Sequence, residues 1–240
     1  MSVAASVLRT PVQPQFERTI ATRESGRPGL GAHLDHLREH GMRLRYRRNE
    51  AVFACGDAAA HIYRVAAGCI RLCRHVGDGR RSVSDFMLPG DVFGLGGFRL
   101  FPYTAEAVGP ATVVAYPAVL FEQLCEDNAP LQNDLLSHYS RLLARTQQQL
   151  FVTTCQTARE RVASFIIMMS QRDQLAFGDR VDLPMGRQDI ADFLGLTVET
   201  ICRSLASLKK AGTIAVPNAH QVSLIDVEAL RALAGGSTAQ

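Results

Sequence analysis

The strongest constraint on this 240-residue chain is a change of period at Pro130. Residues 131–152 contain no glycine and no further proline. Pro130 suits a first helical turn, so the stretch predicts one long helix. Within it Leu136, Tyr139, Leu143, Thr146 and Leu150 recur at spacings of three and four. That is a coiled-coil-like seam about two heptads long. It suits a two-helix dimer contact, and the same spacing also suits a helix packed on its own neighbouring domain. Before the break, residues 43–122 have a different texture. "AVFACGDAAAHIYRVAAGCIRLCRH", "SVSDFMLPGDVFG" and "YTAEAVGPATVVAYP" are short alternating runs divided by glycine and proline. Several such strands with regular turn signals predict a small β sandwich or barrel.

The flanks are simpler. Residues 1–28 lack periodicity and hold three prolines, which reads as a flexible tail. Leu30, Leu34 and Leu37 share a face, so a short helix is expected over 30–40. After the long helix, "TARERVASFIIMMSQR" places Val162, Phe165, Ile166 and Met169 on one side of another helix. "RVDLPM" reads as a short strand. Helices are expected at Arg187–Leu194 and Val198–Ala211, joined by a turn at Gly195–Thr197. "TIAVPNAHQVSLID" reads as a hairpin around Pro217–Gln221, and Asp226 can cap a last helix ending at Gly235. The expected fold is therefore α+β, in four parts: a tail at 1–28, a β domain at 29–128, a long helix at 129–155 and a helical unit with a hairpin at 156–240.

Helix, glycine turn, helix is a DNA-binding unit, and the hairpin after it has the size of a wing. Ala191 is small where the two helices cross. Gly195 gives the turn its backbone freedom, and Thr197 can cap the second helix. Ile201, Leu205 and Leu208 anchor that helix inward; Ser204 sits where an aliphatic residue is usual, and its hydroxyl can return to a backbone carbonyl. The opposite face carries Val198, Glu199, Cys202 and Arg203. The N-terminal half of such a helix enters the major groove. There arginine donates to guanine O6 and N7, and glutamate accepts from cytosine N4. Val198 and Cys202 can touch thymine methyl groups. Lys209 and Lys210, the only lysines in the chain, are placed for phosphate contact. An ordinary surface ion pair has the same spacing as Glu199–Arg203, so the case rests on the surrounding unit.

Bulk charge does not decide the matter. The net charge is +3, and residues 156–240 hold 9 basic and 9 acidic side chains. The six cysteines include no C-x-x-C pair, so the zinc-ribbon and thioredoxin signatures are absent, and no metal or cofactor is expected. No apolar run reaches the ~18 residues of a membrane span, and no signal-peptide core opens the chain, so a cytoplasmic location is expected. Nucleophile-elbow, P-loop and H-E-x-x-H motifs are absent, and no catalytic residue is expected.

With these residues in view, the chain resembles the Crp/Fnr transcription regulators. The resemblance covers about residues 30–235. It rests on "GDAAAHIYRVAAGCIRL" and "PGDVFG" in the first half. In the second half it rests on "TARERVASFI" and "QDIADFLGLTVETICRSLASLKKAG". "LGLTVETICR" is very close to the Fnr-type recognition sequence, with Cys202 where serine is usual. The resemblance implies an N-terminal β-roll of the cyclic-nucleotide-binding type, a dimerisation helix and a C-terminal winged helix-turn-helix. It implies that Glu199 and Arg203 read the G·C pair of a TTG half-site, with Val198 and Cys202 tuning its neighbours. The operator it implies is a TTG-N8-CAA palindrome bound by a homodimer, with RNA polymerase as a further partner.

The departures narrow this. Members that bind cyclic AMP carry a glutamate and an arginine–serine pair where this chain has Leu95 and Tyr103–Thr104. A buried phosphate without arginine is an uncompensated charge, so no cyclic nucleotide is expected. The first cysteine is Cys55, so the N-terminal iron–sulfur ligands of oxygen-sensing relatives are missing. What remains resembles the FixK branch, whose members activate genes of microoxic respiration, denitrification or nitrogen fixation. A haem- or nitric-oxide-responsive sensor is the alternative, with His61, His75 or His138 as ligand. Cys202 is a redox candidate, because a neighbouring arginine favours the reactive thiolate. Its oxidation would put negative charge near phosphates and beside Arg203.

Overall fold

The computed structural model describes residues 30–77, 79–95, 99–172 and 175–235. The tail expected at 1–28 lies outside them. Two four-stranded antiparallel sheets form the β-roll. One runs β1 (Met42–Tyr46), β8 (Ala111–Pro117), β3 (His61–Ala67), β6 (Val92–Phe93). The other runs β2 (Ala51–Phe53), β7 (Thr104–Ala107), β4 (Ile70–His75), β5 (Arg81–Met87). The alternation seen in the sequence sends Phe53, Tyr63, Val65, Phe93, Val113 and Ala105 into a common core. Phe53 stacks on Phe101 with ring centroids 3.6 Å apart. Gly68 is required at the β3–β4 turn. Its φ is +82°, and a Cβ there would lie 2.5 Å from the Pro110 carbonyl oxygen.

Strand β4 breaks the one-face-in rule. Ile70 and Leu72 point into the roll, while Cys73, together with Cys69 just before the strand, joins a second core shared with the C-terminal helices. A strand buried on both sides reads as a nearly continuous apolar run, and "CIRLC" is one apart from Arg71. Arg71 itself is buried, at 4% exposure.

Two short elements differ from expectation. Residues 30–40 form one α-helical turn, α1 (Leu30–His33), continuing as a 3-10 helix to His40. The stretch expected as strand up to residue 122 turns helical at Ala118, giving α2 (Ala118–Glu126). Its run "AVLFEQLCE" is short, and only Phe121 of it is buried, so its apolar period was faint.

Helix α3 spans Ala129–Cys155. Asn128 caps it, accepting from the Leu131 amide at 3.0 Å, and Pro130 sits in the first turn. Its 27 residues extend about 40 Å. Only Leu131 and Val152 are buried along it. Then α4 (Ala158–Ser170) opens with a capping box, Thr157 accepting from the Glu160 amide and Glu160 from that of Thr157. It packs against α6 (Val198–Lys210) and α7 (Val227–Ala234). Strands β9 (Ala176–Phe177), β10 (Arg180–Asp182), β11 (Ile214–Asn218) and β12 (Gln221–Leu224) form a small sheet, ordered β11-β12-β10-β9. The wing hairpin turns at Ala219–His220, leaving Pro217 inside β11. Asp226 caps α7 as expected, accepting from the Ala229 amide at 2.9 Å.

Candidate nucleic-acid interface

Helices α5 (Arg187–Leu194) and α6 are joined by Gly195, which adopts the left-handed conformation at φ 63°, ψ 39°. Its amide and that of Leu196 both donate to the Ala191 carbonyl. Arg161 of α4 donates to the Leu194 carbonyl at 3.1 Å, which satisfies an otherwise unmatched acceptor at the helix end. Ala191 is fully buried at the crossing, and Ile201, Ser204, Leu205 and Leu208 form the inward face of α6. The Thr197 hydroxyl caps α6, accepting from the Thr200 amide at 3.2 Å.

The outer face is presented to solvent. Glu199 and Arg203 have side chains 78% and 70% exposed, and their closest charged atoms are 3.8 Å apart. At that separation and exposure the pair costs almost nothing to open. Cys202 is exposed between them in sequence. Val198 is only half-buried and packs partly against the core, so less of it faces outward than of its neighbours. Lys209 and Lys210 are exposed at the far end, about 15 Å along the helix from Glu199.

Sequence reasoning missed two features of this unit. Arg187, at the start of α5, has a buried Nη1 with no hydrogen-bond partner, and burial lowers its pKa while Cys202 lies close enough to oppose that shift. A cluster also fastens α5 to the β-roll. Asp189 Oδ1 accepts from Arg71 at 2.9 Å and from Arg81 at 2.6 Å, while Oδ2 takes the Gly186 amide at 3.3 Å. Arg81 also binds Asp192 at 2.6 Å. Arg71 donates through Nε and Nη2 to Glu106 Oε2, at 2.9 and 2.5 Å. Burial works to raise the Glu106 pKa, but hydrogen bonds from Arg71 and His75 outweigh it and hold the carboxyl below its usual value. The signal was a single arginine inside the apolar run of β4.

The remaining expected residues fall elsewhere. Leu136, Leu143 and Leu150 of α3 are 67%, 59% and 63% exposed, with Thr146 exposed and Tyr139 half-buried. The three leucines and Thr146 of the seam therefore do not pack on the chain's own β-roll. Tyr103 accepts from the Gly94 amide at 3.2 Å, and Thr104 is buried and accepts from the Cys55 amide at 3.0 Å. Leu95 packs against an apolar cluster with Leu30 and Leu34. His75 is bonded to Glu106 at 2.8 Å, and His138 packs edge-on near Tyr139, its pKa lowered by burial. His61 is half-buried on β3 near Tyr63. No helix among the described residues is long and apolar enough to cross a membrane.

A β-roll, a long helix and a winged helix-turn-helix with its second helix free define a class: DNA-binding transcription regulators. Residues 160–233 match the Crp-like helix-turn-helix domain, and residues 43–128 match the cyclic nucleotide-binding domain. The chain is 36% identical to the nitrogen fixation regulation protein FixK of Azorhizobium caulinodans, across 97% of this chain and 99% of that one. It is 34% identical to the transcriptional activatory protein AadR of Rhodopseudomonas palustris, across 76% of each. The solved structure of FixK2 from Bradyrhizobium japonicum superposes with a TM-score of 0.77 at 32% identity, covering 80% of this chain and 96% of that one. The chain belongs to the Crp/Fnr family of transcription regulators, in its FixK-like branch.

Proposed function

We propose that the chain is a homodimeric activator that reads a TTG-N8-CAA-type palindrome through Glu199 and Arg203 and works with RNA polymerase. The observation that carries this is the exposed Glu199–Arg203 pair on the first turns of α6, with none of the described residues folded over it. Both side chains can leave each other for a guanine and a cytosine edge. Thr197, Val198 and Cys202 flank the contact, and Lys209 and Lys210 add phosphate affinity without sequence information. The exposed leucines of α3 supply the two-fold contact that a palindrome demands. The name of the AadR relative supports activation, and that of the FixK relative supports regulation of nitrogen fixation; microoxic respiration and denitrification genes follow from the branch resemblance. The location that fits such a role is the cytoplasm. Tyr103, Thr104 and Leu95 are committed to internal contacts, so binding needs no cyclic nucleotide.

The test is a titration of purified protein, without additives, against the palindrome and a variant with the G·C pair exchanged. Tight binding to the first and weak binding to the second is expected. Equal affinity for both removes the reading. Binding only after haem is added favours the ligand-gated alternative. For Cys202, peroxide treatment is expected to weaken operator binding by wild type and to leave Cys202→Ser unaffected; equal losses rule out a redox role for this thiol.

A further inference from the structure

The β-roll carries a side-chain group that DNA reading does not use. Cys73 and His75 are two residues apart on β4 and so point to the same side of the sheet. Glu106 reaches them from the neighbouring strand β7, where it stands opposite Arg71. Cys73 Sγ is 3.7 Å from His75 Nε2, and His75 Nε2 is 2.8 Å from Glu106 Oε1. The three atoms all lie within 4.8 Å of one another. Because the ligands come from two strands, the cysteine spacing that excluded a zinc ribbon carries no information about them.

We propose that Cys73, His75 and Glu106 bind one borderline divalent transition-metal ion of the zinc class. Thiolate, imidazole and carboxylate together select such an ion over magnesium or calcium. Tetrahedral zinc with usual bond lengths sets its sulfur and nitrogen ligands about 3.6 Å apart, close to the separation observed. The histidine–carboxylate gap must open by about half an ångström from hydrogen-bond length, and the half-exposed His75 is free to make that move. Solvent reaches the site on the His75 side, which leaves water as the fourth ligand. Binding takes the proton from the Cys73 thiol and releases it to solvent.

The surroundings favour this arrangement. Glu106 offers Oε1 to the ion because Oε2 is held by Arg71, the outer-shell orientation that metal carboxylates need. The nearby cations do not oppose the ion, since Arg71 and Arg81 are matched by Asp189 and Asp192. One thiolate and one carboxylate then neutralise the dication. Arg71 touches both Glu106 and Asp189, so the ion would stiffen the junction between the β-roll and α5.

Cobalt(II) is the probe, added to full-length protein in which the exposed Cys55, Cys155 and Cys202 are replaced by serine. The expected result is one ion per chain with a thiolate-to-cobalt charge-transfer band, displaced by zinc. His75→Ala and Cys73→Ser on that background should each weaken binding at least tenfold and Cys73→Ser should abolish the band. His75 is half-exposed, so its variant is expected to keep the fold, which circular dichroism verifies. Absence of the band, or affinity in both variants equal to that of the parent, would mean that Cys73 is only a buried filler and His75 only a partner of Glu106, and would overturn the site. Zinc should also slow amide hydrogen exchange in α5 of the parent protein but not of His75→Ala. Unchanged exchange with cobalt bound refutes the coupling to α5.

Discussion

The two helices of the DNA-binding unit carry the same kind of charge pair in opposite settings. On α5, Asp189 lies between two arginines of the β-roll, and it and Arg71 are 6% and 5% exposed. On α6, Glu199 and Arg203 stand in water at 3.8 Å. Once buried, neither partner can be lost cheaply, because the survivor keeps its desolvation cost. In water the pair has almost no worth to the fold and is available for other work. On the proposed function, stability and recognition thus fall on adjacent helices, and single substitutions should separate them.

The largest effect is expected at Asp189. Asp189→Ala leaves Arg71 and Arg81 short of a partner and should cost about 3–5 kcal/mol in urea unfolding. A loss under ~1 kcal/mol would place the two settings on a par. Next comes Arg203→Ala, which should leave stability within about 0.5 kcal/mol. Its discrimination between the correct and exchanged G·C pair should fall by ~1–3 kcal/mol in binding titrations. Thr197→Ala removes the cap of α6 and should lower the unfolding free energy by about 1 kcal/mol. Glu199→Gln should change that free energy by no more than about 0.5 kcal/mol, since only an exposed pair is lost. The smallest response is to pH in the neutral range. The Glu106 pKa is lowered in the fold, so its contribution is complete above the ordinary carboxylate value of 4.5 and disappears as pH falls through the folded value. Wild-type stability should therefore be insensitive to Glu106 near neutrality and decline only in acid. A loss between neutral and mildly acidic pH that Glu106→Gln abolishes would contradict this assignment.

The same contrast governs what could be read in advance. Helix α6 was legible because its signals are local: Thr197 at the cap, Gly195 at the turn and Ile201, Leu205 and Leu208 at helical spacing. The long helix was legible from Pro130 and the clean run after it. The Arg71 cluster was not, because its members come from positions 71, 81, 106 and 189, and only the fold brings them together. Asp189 in particular reads as an ordinary first-turn acid, and it does take the Gly186 amide. Its second oxygen holds the β-roll. The switch to 3-10 geometry after His33 was illegible for a different reason: a few leucines on one face do not distinguish three residues per turn from 3.6.

Helix α3 is secured at Leu131 and Val152, and over the twenty residues between them it shows water a ridge of hydrocarbon. A lone molecule carries that wetted ridge as a standing penalty, which the proposed pairing with a twin would relieve. On the proposed homodimer reading, mass action would make abundance itself an input: as copies accumulate, paired molecules would rise faster than the total, and occupancy of a two-fold operator would steepen without any small molecule reporting.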